Sequence, residues 1–333
     1  MLALGMPFCA VMMVGSMCLH GAGESVRPTT IAVVVNIVNA LASWFLSGVE
    51  LRAGGAVLPN PSPLNPEVWG VAGIGMGTSL GWMVGAILTM RLLLRGVKDL
   101  RLHGRHLAPR RHLGWRIARV GIPSFFEGMT MWSVGIFVTL FIGIIARRGD
   151  DGVQAGLIGA HSIAIQWEAF SYLPGYAIGT AAASLAGQYL GARNPDAARR
   201  AIRVCAWIGA VVMSLFGVVF ALCGTALTRI ISDNPAHLDL VPKCLLICAF
   251  AQPFFSLSMT IRQGLRGAGD TGWVFIITSV STWGIRLPAA WFFGVHLDWG
   301  LPGIWVGLCA ELVIRGLLFL ARFTFGAWTR IKV

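Results

Sequence analysis

The stretch LRGAGDT at Leu265–Thr271 has an echo, LHGAGES, at Leu19–Ser25, 246 residues earlier. The agreement outlasts the glycines. At the same offset Pro7 and Phe8 match Pro253 and Phe254, Met13 matches Met259, and Leu41 matches Leu287. Gly48-Val49 matches Gly294-Val295, and Leu51 matches Leu297. After a slip of sixteen residues, Trp69-Gly70-Val71 with Gly73-Ile74 aligns with Trp299-Gly300-Leu301 with Gly303-Ile304. Self-similarity at a fixed long period signals a duplicated unit, and it sets the architecture before any motif is interpreted.

Composition supplies the solvent around that unit. Hydrophobic residues make up 56% of the chain and charged ones 12%, with a mean hydropathy of +0.73. Apolar runs of about 20 residues, the length needed to cross a bilayer, recur from end to end. The fold class expected is therefore an all-α polytopic membrane protein with the lipid bilayer as its partner. The net charge of +12 is carried by short segments between apolar runs. That is a membrane-topology pattern and not a nucleic-acid surface, since no basic patch interleaves with solvent-facing aromatics. Seven cysteines lie in or beside apolar runs and form no CxxC, so neither a disulfide framework nor a metal site is expected.

Nine spans follow, at about 2–19, 29–49, 69–90, 118–146, 155–190, 200–231, 238–264, 272–295 and 299–325. The first lacks the positively charged leader of a signal peptide and corresponds instead to an internal span of the second half. The proline-rich loop Leu51–Val68 absorbs the sixteen-residue slip as an extended connection. Pro174-Gly175 should kink or partly break the long fifth span. Gly191 can end that helix, and Asn194-Pro195-Asp196 should start the next with a cap, a proline and an acid.

Lys and Arg set the orientation. If the basic stretch Arg91–Arg119 is cytoplasmic, nineteen of them fall inside and five outside. Both GAG turns then share the cytoplasmic side, and so does the C-terminus. Repeats in the same orientation need even numbers of spans, so residues 1–95 read as the last three helices of one six-helix lobe. A basic linker at 96–117 and a complete second lobe at 118–333 follow. On this reading the first lobe would begin about 130 residues ahead of Met1.

Motifs in the second half carry a family resemblance. GIPSFFE at Gly121–Glu127, AHSIAIQWEAFSYLPG at Ala160–Gly175 and GQYLGARNPDAAR at Gly187–Arg199 resemble the second lobe of the multidrug and toxic compound extrusion (MATE) family. So do LRGAGDT and IRLP at Ile285–Pro288. LHGAGES with Asn36 and Asn39 resembles the end of that family's first lobe. The resemblance implies a monomeric antiporter in a prokaryotic inner membrane. It would export organic, cationic, amphipathic compounds in exchange for Na⁺ or H⁺, by rocking of two lobes around a central site, with no further cofactor. Parallel repeats with a site at midplane fit that scheme.

Ionisable groups at membrane depth are costly, so each is a site candidate. Glu127 is the candidate for cation coupling; otherwise it is a structural carboxylate near a helix end. Glu168 can balance a cationic substrate, with Trp167 or Tyr172 adding cation–π contact and Gln166 and His161 beside it in the cavity. Alternatively, Glu168 is satisfied by backbone freed at Pro174. Glu311 and Arg315, spaced i, i+4, read as a self-neutralising pair. Arg286 before Pro288 reads as packing or gating, as do Pro174, Gly175, Gly267 and Gly269. Asn36 and Asn39 can line a first-lobe cavity, though Ser43 stands where the family often has an acid. No nucleophile constellation or paired catalytic carboxylates point to an enzyme. The alternatives kept open are a non-transporting remnant or assembly partner, and a lipid-linked oligosaccharide flippase with a more basic cavity.

Overall fold

The computed structural model describes residues 2–53, 56–97, 100–103, 111–148 and 151–330. It divides into two units, Met1–Pro109 and Arg110–Val333.

The first unit contains α1 (Leu2–Gly21), α2 (Val26–Ser47), the strands β1 (Leu51–Ala53) and β2 (Ala56–Leu58), and α3 (Pro66–Arg95). Helix α3 packs along both α1 and α2, which hardly touch each other. Small residues make this possible: a Cβ on Gly73 would lie 2.1 Å from the Leu46 carbonyl oxygen, and one on Gly77 2.4 Å from the Ser43 nitrogen. Such small-xxx-small spacing is how helices approach closely where lipid supplies no hydrophobic drive. The 51–68 connection is more ordered than its prolines suggest. It opens with an antiparallel ribbon pairing Leu51 with Leu58. Asn60 then donates to the carbonyls of Trp44 (2.6 Å) and Val49 (3.1 Å). Residues 66–68 already belong to α3.

The second unit holds α4 (Arg111–Arg148), α5 (Asp151–Gly191), α6 (Pro195–Ile231), α7 (Pro235–Gly267), α8 (Thr271–Ser281), α9 (Leu287–Trp291) and α10 (Gly300–Phe325). Helix α7 is its axis, packed against α5, α6 and α10. One apolar cluster gathers Val138, Ile142, Phe220, Leu245 and Trp305, and a second gathers Ile202, Leu265, Phe319 and Trp328. Seven helices in the described residues are long and apolar enough to cross a membrane. Their outward faces keep large apolar side chains such as Val71 and Leu222 uncovered, as a lipid-facing surface requires.

Helix α5 runs unbroken through Pro174, so of the expected kink or partial break, the break does not occur. Gly175 serves packing there, since a Cβ would meet the Met213 sulfur at 2.6 Å. The span expected at 272–295 is one helical stretch interrupted by two π-helical segments, Thr282–Arg286 and Phe292–His296. Pro288 has no N–H to close an α-turn, and the Leu287 amide reaches back to Thr282 O. The ladder thus widens just before the proline. Of the expected linker at 96–117, residues 98–99 and 104–110 lie outside the described residues, and residues 111–117 form the opening turns of α4.

Helix boundaries repeat with the sequence. After α1 the amide of Glu24 donates to Leu19 O at 2.9 Å, and after α7 that of Asp270 donates to Leu265 O at 2.9 Å. Gly23 (φ 72°) and Gly269 (φ 85°) take the left-handed position, the one where glycine has no Cβ penalty. The same turn closes α5, with Asn194 donating to Tyr189 O at 2.8 Å, but its left-handed residue is Arg193 (φ 57°) and not Gly191. Three helices begin Asn-Pro. Asn65, Asn194 and Asn234 each cap an amide with the side-chain oxygen, and Pro66, Pro195 and Pro235 follow.

Candidate ligand cavity and buried charge network

A cavity of about 690 Å³ opens among α4, α5, α10 and the π segment ending at Arg286. Its size suits a small organic molecule. Apolar walls come from Trp132, Val138, Ile165 and Leu308, and polar groups from His161, Glu168 and Arg286. His161 and Glu168 fall on one face of α5, as their i, i+7 spacing predicts.

Glu168 makes no side-chain hydrogen bond or ion pair among the described residues; only its backbone carbonyl is engaged, by Ser171 Oγ at 2.7 Å. Its carboxylate is the unpaired acid of this cavity. His161 is 9% exposed, its Nδ1 has no partner among the described residues, and its ring meets Trp305 edge-on at 5.9 Å. Trp167, Gln166 and Tyr172 are not among the lining residues, so the expected aromatic partners of Glu168 lie elsewhere. Trp167 packs on Phe170 and Tyr172 on Phe255. Gln166 is exposed.

Arg286 is held by Glu311, which accepts from its Nε at 3.1 Å and pairs with Nη2 at 2.8 Å. Arg315 Nε approaches the other Glu311 oxygen at 3.2 Å. The expected self-neutralising pair is therefore a triad of one acid and two guanidiniums. At the offset of 230 residues that aligns α3 with α10, Glu311 and Arg315 stand where α3 carries Gly81 and Gly85. The triad thus occupies a position that the first unit fills with close helix packing.

Glu127 is buried at 1% exposure and is clasped. Its Oε1 accepts from Arg262 at 3.2 Å and from Thr278 at 3.3 Å, and Oε2 accepts from Arg266. The sequence reading missed both arginine partners, since it assigned Arg262 and Arg266 only to the count of basic residues. Their i, i+4 spacing on α7 was the available signal. A carboxylate already neutralised by two guanidiniums binds a proton or Na⁺ only by displacing one of them.

Asp270 and Arg322 close the basic end of the unit. Arg322 Nε donates to Asp270 Oδ2 at 2.9 Å, and its guanidinium lies over the Trp273 ring at 4.7 Å. Asp270 makes no side-chain cap on α8. Glu24 in the first unit does accept from the Arg27 amide at 3.3 Å. Gly267 has a packing reason: a Cβ there would lie 2.2 Å from Ala183 O on α5. In the first unit Asn39 accepts from Ser43 at 2.9 Å and Thr78 at 3.3 Å, tying α2 to α3, while Asn36 is exposed.

Known proteins share this arrangement of helices. The MatE family model matches residues 123–292. A probable multidrug resistance protein NorM of Thermotoga maritima is 28% identical over 326 residues, covering 97% of this chain and 65% of the relative. A multidrug resistance protein NorM of Burkholderia vietnamiensis is 32% identical over 232 residues, covering 67% of the chain and 49% of the relative. The chain thus spans less than two thirds of these relatives' length. The crystal structure of the Vibrio cholerae MATE transporter VcmN in the bent form superposes with a TM-score of 0.79 at 14% identity, over 97% of this chain and 67% of the other. At that identity the likeness is one of fold. The matched family segment covers half of the chain and runs from Pro123 through the cavity-lining stretches of α4 and α5 and past Arg286 to Phe292, so this chain belongs to the MatE family.

Proposed function

We propose that the protein works as a cation-coupled antiporter that exports organic cations across a prokaryotic inner membrane by alternating access. On this reading it is a monomer, with its C-terminus and basic linker in the cytoplasm. The observation that carries the substrate class is Glu168, a carboxylate with no ion pair among the described residues, in a cavity walled mostly by apolar side chains. A desolvated acid among apolar walls attracts a cation and repels an anion, and apolar walls favour an amphipathic one. Arg286 faces the same space, held by Glu311; because Glu311 is shared with Arg315, the triad keeps one positive charge, and Glu168 brings the group to no net charge. This balance speaks against a flippase reading, whose polyanionic substrate needs free guanidiniums. The relatives' names and the family support export as the direction of transport.

Coupling falls to Glu127 by competition. H⁺ or Na⁺ arriving at its carboxylate loosens Arg262 and Arg266, so cation binding and release of α4 from α7 are one event. The test is binding followed by transport with purified protein. Tetraphenylphosphonium or ethidium should bind, Glu168→Gln should weaken binding about tenfold while leaving the fold intact, and an anionic dye should not bind. In proteoliposomes an imposed H⁺ or Na⁺ gradient should then drive ethidium movement. Equal affinity of wild type and Glu168→Gln removes the cation reading. Binding with no gradient-driven movement favours a non-transporting partner.

A further inference from the structure

A second cavity, of about 680 Å³, lies on another side of the same unit, between α6 and α10 with α7 as its floor. It contains none of the residues of the ligand cavity. Helix α6 presents Arg199, Arg203 and Trp207 to it at i, i+4, i+8, with Ala206 and Ala210 deeper on the same wall. Phe254, Leu257 and Ile261 form the floor, and Leu320 and Phe323 the far wall. The groove is therefore graded, from two cations at its mouth, through an exposed tryptophan, to a purely apolar interior.

Neither arginine has an acidic partner among the described residues. Arg199 is held by a ring instead. Its guanidinium lies 6.0 Å from the Trp328 centroid, and Trp328 is itself fixed by donating to Phe323 O at 2.9 Å and stacking on Phe323. A structural feature thus positions one cation at the mouth without neutralising it.

We propose that this groove binds one anionic phospholipid of the leaflet at the basic end of the helices, which is the inner leaflet on the orientation read from Lys and Arg. The phosphate sits on Arg199 and Arg203, an acyl chain runs along Leu257 and Phe254, and Trp207 marks the interface between them. Three features select this occupant. Two unpaired guanidiniums fit a phosphodiester and not a zwitterion's outer amine. The apolar floor gives a chain somewhere to lie, which a free phosphate does not need. From Arg203 to Trp207 the helix rises about 6 Å, so the indole lies one turn below the guanidiniums. Trp at that level is where aromatic belts sit.

The experiment uses the whole chain in nanodiscs of phosphatidylcholine. A minor fraction of phosphatidylglycerol or phosphatidylcholine with brominated acyl chains is added, and the quenching of Trp207 is isolated as the difference from Trp207→Phe. Brominated phosphatidylglycerol should quench this signal at far lower mole fraction than brominated phosphatidylcholine. Arg199→Gln with Arg203→Gln should erase a preference of roughly 30-fold, the effect of two juxtamembrane arginines. If that pair fails to fold, Ala210→Trp fills the deep end with both arginines intact, and it should also remove the preference. Equal quenching by the two lipids overturns the proposal, and so does a preference that survives either variant. Displacement of the lipid by millimolar inorganic phosphate also overturns it, because the site would then be a simple anion niche.

Discussion

Arg262 Nη1 lies 3.2 Å from Glu127 Oε1, joining α4 to α7 across 135 residues of sequence. With Arg266 on the second oxygen and Thr278 on the first, one buried acid holds three helices. Removing the acid leaves two guanidiniums facing each other in the unit's interior. Glu127→Gln should therefore destabilise the protein by about 3–5 kcal/mol. Glu127→Gln combined with Arg262→Gln should cost less than the sum of the two single changes. Thermal unfolding in detergent for the four proteins measures this. Additive effects would mean that the clasp carries no coupling energy.

The Glu311 triad makes an asymmetric prediction. Arg286→Gln leaves Glu311 paired with Arg315, whereas Glu311→Gln leaves Arg286 and Arg315 without their acid. The second change should lower the melting temperature clearly more than the first. Arg286→Lys should also cost something, because an ammonium cannot reproduce the Nε and Nη2 contacts to one carboxylate oxygen. Similar melting temperatures for Arg286→Gln and Glu311→Gln would refute the triad.

Periodicity and punctuation made the fold legible, because both report local physics. Among the described residues, nine helical stretches fall where apolar runs of bilayer length predicted them. Asn194-Pro195 starts a helix by the capping chemistry read from its residue types. What escaped was long-range. Nothing in the spacing of Glu127 announces Arg262 and Arg266, which reach it from α7. Nor could sequence tell that Trp167 turns to Phe170 while Glu168, one residue on and about 100° round the helix, faces the cavity. The π segments were also hidden, since Pro288 signals a disturbed ladder without saying whether the helix breaks or widens. Pro174 in α5 shows that the same signal can leave a helix continuous.

Close helix approach gives a matched pair of tests. A Cβ on Gly303 would lie 2.4 Å from Phe293 O, as one on Gly73 would lie 2.1 Å from Leu46 O. Backbone cannot swing aside, so Gly73→Ala and Gly303→Ala should each destabilise by about 1–3 kcal/mol. Gly70→Ala and Gly284→Ala meet nothing within 4 Å, and they should be neutral or mildly stabilising through helix propensity. Folded yield and melting temperature of the four variants decide it. Equal behaviour would show that the packing stripe has slack.

The Asp270–Arg322 clasp predicts a pH dependence. Burial pushes the Asp270 carboxyl above the usual aspartate value, and the Arg322 hydrogen bond and charge offset only part of that. A folded pKa raised above the unfolded one, about 3.9, means that the folded state binds the proton more tightly. The stabilisation linked to this group is then complete below the unfolded value and fades as pH rises through the folded one. Asp270→Asn removes the titration and leaves the rest of the turn, including Arg322 over Trp273. The melting-temperature advantage of wild type over Asp270→Asn should therefore shrink as pH rises from about 4. A gap that widens with pH would show that Arg322 outweighs burial, making the ionised pair a net stabiliser of the α7–α8 turn.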